Sequence, residues 1–355
     1  MGLFEKERDL NRAPDRIVLT VDGSFFQQKS HEVQVRLDQF LLAHLHWRSR
    51  TSIQKLIRDG QVLVDAATPD QPQGSGDFTP ETRAGRKLRH GSRVTVMIPE
   101  ELRLPEPEGE VTPVEVLYEE PGVLAVDKPP MVPVHPSGRH VLDTMIQRVH
   151  AHCAGAIAAE GEAPRLCHRL DRETSGVLLV GLRPRQHRNL RRQFERHEVR
   201  KFYQALVWGE VQGDQGSLRW PIGPDRHSAV HLKMTVSPDG LECRTDWQVL
   251  QRFVGYTLVQ CELFTGRQHQ IRVHLAAMGH PIVGDKLYGV DEQLFLRSAE
   301  GTLSESDRAR LEFPRQALHH HCLIFASPGR DEPVRVESPL AADIRTFLQG
   351  LEPLI

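Results

Sequence analysis

The hydrophobic pattern changes character along the chain. In Arg36-Leu37-Asp38-Gln39-Phe40-Leu41-Leu42 the apolar residues fall at helical spacing. After a polar break, Ile53, Leu56 and Ile57 recur at i, i+3 and i+4 within residues 49–57. This spacing predicts two short helices, the second capped by Ser49 or Thr51 and stopped by Asp59-Gly60. Residues 61–64 read as a short strand, residues 69–86 as an exposed loop rich in Pro, Gly, Asp and Thr, and residues 93–99 as an alternating strand. Residues 100–113 are acidic and carry prolines, the composition of a linker. Residues 1–30 give no element and are taken as an N-terminal extension. The expected division is therefore a small domain at 31–99, a linker at 100–113 and a larger domain at 114–355.

In the larger block, short apolar or alternating runs predict strands at 122–126, 175–182, 202–208 and 257–264. Helical stretches are expected at 184–196 and 266–278, with Thr265 and Gln268 as a capping box for the second. Residues 291–312 are polar and acidic and read as an inserted surface segment. The mixture gives an α+β class.

Composition narrows the function classes. The 355 residues are 39% hydrophobic and 26% charged, enough for a folded core and unlike a disordered or collagenous chain. Five cysteines without C-x-x-C spacing are a reduced, cytosolic inventory, with neither a disulfide framework nor a zinc knuckle. Apolar runs such as 177–182 are strand-sized, and no N-terminal apolar signal region is present, so a soluble cytoplasmic protein without a membrane partner is expected. The net charge of −2 argues at first against a nucleic-acid partner. Locally the balance differs: residues 165–201 carry +7 and residues 36–60 carry +3, against −7 for 100–120 and −3 for 291–312. Near-neutrality is a cancellation, and a polyanionic partner is not excluded.

Three stretches carry chemistry. His168-Arg169-Leu170-Asp171-Arg172-Glu173-Thr174-Ser175-Gly176 runs straight into the apolar strand Val177-Leu178-Leu179-Val180. Ionisable groups crowded against a buried strand are costly unless they pair or work. A plain reading is a charged turn in which Asp171 bonds nearby backbone amides. The second stretch is Thr265-Gly266-Arg267-Gln268-His269-Gln270-Ile271-Arg272-Val273-His274-Leu275. On a helix, Arg267, Ile271 and His274 would share one face, and His269, Arg272 and Val273 an adjacent one. That is either an amphipathic helix with a basic side or a holder for a carboxylate or phosphate. The third, Lys201-Phe202-Tyr203-Gln204-Ala205-Leu206-Val207, is a strand presenting Tyr203 on one face.

Together these stretches resemble the RluA-type RNA pseudouridine synthases. Leu124-Ala125-Val126-Asp127-Lys128-Pro129-Pro130, the run from Gly279 through Gly284-Asp285-Lys286-Leu287-Tyr288 to Gly289, and Arg315-Gln316-Ala317-Leu318-His319 fit the same pattern, in the same order. The resemblance covers residue 114 to the C-terminus. R-L-D-Q-F-L, S-R-T-S-I-Q-K-L-I and G-Q-V-L-V in the first block resemble an S4 RNA-binding domain. Met131 departs from the usual glycine after K-P-x, and the 73–86 loop and 291–312 segment look like additions.

The resemblance implies a mixed, mainly antiparallel sheet flanked by helices and a reaction that detaches uracil from C1′ of the ribose, turns it and rejoins it through C5. Asp171 would be the catalytic carboxylate, Arg272 its partner, and Tyr203 the residue that stacks on the target base. Arg169 would fill the space left by the flipped uridine. His168 would order the loop beside it, and Arg267, His269 and Ile271 would complete the substrate site. Arg36, Arg50, Lys55 and Arg58 would contact RNA from the S4-like domain. The reaction needs no redox cofactor and no metal. His319-His320-His321 invites a metal reading, but His319 fits the family run and successive strand residues alternate faces. The expected partner is RNA, ribosomal before transfer RNA, with the protein a monomer. Rival readings are a non-catalytic S4-type RNA-binding protein, which Asp171, Tyr203 and Arg272 argue against, and an Asp/His hydrolase using His168 and Asp171, which lacks an evident second carboxylate cluster for Mg²⁺.

Overall fold

In the computed structural model, which describes residues 16–22, 33–45, 50–99, 111–136, 143–160, 162–327 and 330–354, the chain forms two units. One takes residues 1–113 with 135–164, the other 114–134 with 165–355. Ser49 and residues 100–110 of the expected linker lie outside the described residues.

The first unit contains β1 (Arg16–Thr20), β2 (Val35–Arg36), α1 (Leu37–His44), α2 (Arg50–Arg58), β3 (Val62–Asp65), β4 (Thr79–Pro80), β5 (Lys87–Leu88) and β6 (Arg93–Met97). An antiparallel sheet runs β1-β6-β3-β4, and β2 pairs with β5. The helical stripes Leu37, Phe40, Leu41 and Ile53, Leu56, Ile57 share one core with Val62, Val94 and Val96. Two expectations need correction. Strand β1 lies inside the supposedly featureless 1–30 segment; its alternation is only five residues long and gains meaning by pairing with β6, some 75 residues on. Helix α2 begins at Arg50, so Thr51 is inside it and does not cap it.

Next in the chain are β7 (Glu115–Glu120) and β8 (Val123–Lys128) of the second unit, then α3 (Met145–His152) and α4 (Ala154–Glu160) of the first. The rest of the second unit comprises β9 (Arg165–Leu166), β10 (Ser175–Gly181), α5 (Pro184–Glu195), β11 (Arg200–Trp208), β12 (Gln215–Leu218), β13 (Ile222–Pro224), β14 (Met234–Val236), β15 (Thr245–Phe253), β16 (Tyr256–Leu263), α6 (Gln270–Ala277), α7 (Gln293–Glu300), α8 (Glu305–Leu311), β17 (Leu318–Ala326), β18 (Pro333–Glu337) and α9 (Ala342–Gln349). Its ten-stranded sheet runs β12-β15-β16-β11-β17-β10-β8-β7, with β18 beside β17 and β9 beside β10. Every pairing is antiparallel except β10 with β17. Strand β10 is buried along its whole length, which explains why its apolar run is continuous and not alternating.

The single parallel pairing positions the site. Because β10 and β17 run the same way, with Ser175 opposite His319 and Gly176 opposite His320, the segments that enter them meet at one end of the sheet. Residues 168–174 and 313–317 therefore lie side by side. Gly176 makes the approach possible: its φ is +111°, and a Cβ there would lie 2.2 Å from the His320 carbonyl oxygen.

Helix α6 starts four residues later than the pattern predicts. The Gln270 side chain accepts from Arg267 N–H (3.0 Å) and Thr265 O–H (2.8 Å) and donates to the Arg244 carbonyl (3.0 Å). This knots residues 265–269 into a turn, with His269 at φ +57° immediately before the helix. The Thr265–Gln268 capping box is therefore not formed, and Arg267 is not on a helical face. Residues 291–312 are also more than a surface insertion: they fold into α7 and α8, which bury Leu294 and Leu311. Polar composition hid two one-sided helices.

Candidate active site

The loop before β10 is tied down residue by residue. The Leu179 amide donates to His168 Nε2 (3.1 Å), and the His168 ring stacks on Phe194 at 4.9 Å. Thr174 N–H closes a turn onto the Asp171 carbonyl (3.1 Å). Fully buried Lys128 donates to the Arg172 carbonyl (2.9 Å), and Arg315 to that of Glu173 (3.0 Å). The Glu173 carboxylate receives Lys286 Nζ at 2.9 and 3.1 Å and the Gln316 amide at 3.1 Å. The crowding of charge at 168–173 is thus resolved mostly by pairing. Arg169 is the exception: it is exposed and carries no ion pair among the described residues.

Arg272 organises the centre. Its Nε and one terminal nitrogen grip Asp285 at 2.6 and 2.8 Å, and its other terminal nitrogen donates to Asp171 Oδ2 at 2.9 Å. Asp285 also accepts the backbone amides of Leu287 (2.9 Å) and Tyr288 (3.1 Å), and the guanidinium lies 4.9 Å over the Tyr288 ring. Side-chain exposure separates the two carboxylates: 0% for Asp285, 8% for Arg272 and 32% for Asp171. Asp285 anchors, and Asp171 faces outward. Burial is the largest influence on Asp171 and would raise its pKa, but the charge of Arg272 and smaller contributions, including the hydrogen bonds from Arg272 and Gln316, together outweigh it and hold the group below the ordinary carboxylate value. Oδ2 also receives Gln316 Nε2 at 3.4 Å, and Oδ1 accepts no hydrogen bond among the described residues.

Tyr203 is buried with its ring stacked on His320, 4.4 Å between centroids and 14° between planes. Burial, and then the charge of Asp171, push its phenol far above the ordinary value, so it stays protonated. His269 Nδ1 is 2.8 Å from the Tyr288 hydroxyl, and burial draws its pKa down to about 4. Ile271 is buried in α6, and Arg267 reaches the Glu242 carbonyl at 3.2 Å. The three consecutive histidines are each hydrogen-bonded within the unit: His319 to Ser175 and Ser338, His320 to the Val177 carbonyl, and His321 to the same Ser338 carbonyl as His319. Among the described residues no group of three or more His, Cys, Asp or Glu could hold a metal ion.

In the first unit, Arg50, Lys55 and Arg58 lie exposed on α2, away from its buried Ile53, Leu56 and Ile57. Arg36 is held in a two-pronged bond to Asp38, both contacts 2.9 Å.

Sequence reading assigned no role to Asp285, Glu173, Lys286, Tyr288 or Gln316. All lie in or beside the runs that carried the resemblance, yet they stand up to 145 residues from the groups they touch. The available signal was that acid-base pairs such as Asp285-Lys286 sit between apolar residues, where charge needs a partner.

A mixed sheet thus carries an outward carboxylate, Asp171, paired with a buried arginine, the arrangement of a candidate active site. Comparison with known proteins makes the class specific. Residues 122–277 match the RNA pseudouridylate synthase family. An uncharacterized RNA pseudouridine synthase of Bacillus subtilis is 34% identical over 326 residues, 92% of this chain and 95% of that one. Ribosomal large subunit pseudouridine synthase D of Nitrosomonas europaea is 32% identical over 322 residues, covering 90% and 85%. The structure of human RNA Pseudouridylate Synthase Domain Containing 1 superposes with a TM-score of 0.52 at 26% identity, over 70% of this chain and 91% of that chain. The chain belongs to the RNA pseudouridine synthases and isomerises uridine to pseudouridine in RNA. No helix among the described residues is long and apolar enough to cross a membrane.

Proposed function

We propose that this enzyme modifies specific uridines of large-subunit ribosomal RNA, with Asp171 as its catalytic carboxylate. The observation that carries the assignment is the contrast between two carboxylates on one arginine: Asp285 is sealed and bound on both oxygens, whereas Asp171 is ionised, one-third exposed and open at Oδ1. The reaction breaks the C1′–N1 bond and makes C1′–C5; C5 loses a proton and N1 gains one, so the atoms balance. Asp171 serves it as nucleophile or as base toward the sugar, and either role requires the ionised form that Arg272 maintains. Tyr203, with one ring face stacked on His320, is assigned to stack on the target base with the other and, being protonated, begins as a donor.

A uridine in folded RNA must leave its stack to reach this site, at a cost of a few kcal/mol. Arg169, exposed two residues from Asp171, is suited to occupy the vacated position, since a flat guanidinium both stacks and bonds phosphate. His269, Arg267 and Ile271 border the site through α6 and its entry turn, and His168 holds the loop. Residues 31–99 act as an S4-like RNA-binding domain through Arg36, Arg50, Lys55 and Arg58, and the catalytic domain expected at 114–355 is the second unit, residues 114–134 with 165–355. Support for the ribosomal target comes from the relatives in Nitrosomonas europaea and Xanthomonas campestris, both named for the large ribosomal subunit. Mapping pseudouridines in total RNA with and without the gene tests this reading. Loss of sites confined to large-subunit RNA is expected; loss confined to transfer RNA overturns the target. Purified enzyme is expected to retain full activity in EDTA, and an activity abolished by the chelator contradicts the metal-free mechanism.

A further inference from the structure

Helix α5 runs against the usual charge rules of surface helices. Its first turn holds no acidic residue, where a carboxylate would complement the helix dipole. Instead Arg185, Arg188 and Arg192 stand at i, i+3 and i+7, with Arg196 one turn further, and all four are exposed. Like charges at such spacings destabilise a helix. On the flank Arg191 pairs with Glu195 at 3.0 Å, and Arg196 approaches Glu198 at 3.9 Å. Arg185, Arg188 and Arg192 have no ion pair or side-chain hydrogen bond among the described residues. Positive charge accumulates around them: burial first, then Arg188 and Arg191, pull the Arg165 pKa down to about 10.

The opposite side of the helix is a rigid mount. It buries His187, Leu190 and Gln193, and Gln193 exchanges two hydrogen bonds with the backbone of Ala326, 2.7 and 2.9 Å. Phe194, in the last turn, stacks on His168 of the Asp171 loop, so the stripe ends beside the segment that carries the proposed catalytic residue. Among the exposed residues of the helix only Asn189 and Glu195 are not arginine, and no aromatic or large apolar residue accompanies them. Such a face offers neither the stacking platform that reads bases nor the apolar anchors of a protein interface. Guanidinium groups on successive turns, about 5.4 Å apart along the axis, suit a phosphate backbone.

We propose that Arg185, Arg188 and Arg192 form a docking surface for the phosphate backbone of RNA flanking the target uridine. The inference rests on the chain acting on RNA, and it adds a sequence-independent contact on the catalytic unit. The test uses full-length protein and a fluorescent RNA duplex of about 20 base pairs that lacks a modification site, titrated at several KCl concentrations. Relative to wild type, the triple variant Arg185→Gln, Arg188→Gln, Arg192→Gln is expected to bind at least tenfold more weakly near 100 mM KCl. Its slope of log affinity against log salt should be shallower by about two to three. The matching triple lysine variant should stay within about threefold of wild type. A glutamine triple that binds like wild type with an unchanged slope overturns the proposal. So does equal loss in both variants, which would trace the effect to the helix and not to its charge. Pseudouridine formation is scored separately on large-subunit ribosomal RNA: a wild type that binds the duplex but leaves that RNA unmodified removes the proposed target and leaves the stripe standing.

Discussion

At the scale of single residues, the account turns on how one cation serves two carboxylates. Asp285 takes two nitrogens of Arg272 and leaves the third for Asp171. Replacing Arg272 by Gln removes the charge that keeps Asp171 ionised while the burial that opposes ionisation remains. The acid limb of the kcat/KM profile should therefore move to higher pH, with a lower plateau. An unmoved limb contradicts the pairing as the source of the Asp171 shift. Asp285→Asn leaves Arg272 buried without its main anion and should cost about 3–5 kcal/mol of stability, read from urea unfolding; a change under about 1 kcal/mol shows that the anchor is dispensable. Asp171 and Arg272, the residues proposed to serve the chemistry, each sit in a dense run of ionisable groups, and the family resemblance singled them out within those runs. Asp285 could not be picked out, since its meaning lies in a guanidinium 13 residues away across a helix and a turn. Glu173 was visible as a charge, but its partner Lys286 is 113 residues distant.

At the scale of elements, strand order decides where the site can be. Strand β10 was legible because its apolar run is unbroken, and β11 because aromatic and aliphatic residues dominate 202–208. Of β17 only the His319-His320-His321 run read as strand, and its parallel place beside β10 could not be read, because the pairing joins His319 to Ser175 far back in the chain. The start of α6 was misplaced for a related reason: Gln270 binds backbone and side-chain groups on both sides of a turn, a tertiary choice that overrides local helix spacing. The parallel contact of β10 with β17 depends on Gly176. Alanine there meets both an unfavourable φ and the His320 carbonyl, and should cost about 2–4 kcal/mol. It should also lower kcat by displacing the loop that ends in Ser175. Unfolding within about 0.5 kcal/mol of wild type would show that the sheet tolerates a wider gap. Gly284 makes a similar approach before Asp285, with φ +75° and a Cβ position 2.0 Å from the Arg315 carbonyl.

At the scale of the whole molecule, the second unit keeps several histidines neutral. Burial lowers the pKa of His168 to about 3, of His187, His269 and His319 to about 4, and of His320 well below its ordinary value. The unfolded chain takes up protons on these rings near pH 6.5, whereas the folded chain does so only at lower pH. Their contribution to stability is therefore complete above about pH 6.5 and is lost progressively as the pH falls toward 4. The melting temperature should drop steadily over that interval, ahead of the carboxylate titrations; a flat profile down to pH 5 contradicts the neutral assignment. Charge at this scale is consistent with a chain of net −2 acting on RNA: residues 165–201, which hold α5 and the Asp171 loop, carry +7, against −7 for 100–120. The role of Asp171 is tested most directly by single-turnover conversion of large-subunit ribosomal RNA with Asp171→Asn in excess, alongside its RNA affinity. The account predicts conversion at least about a thousandfold slower than wild type with affinity within about threefold; conversion within tenfold of wild type would show that another group does the chemistry.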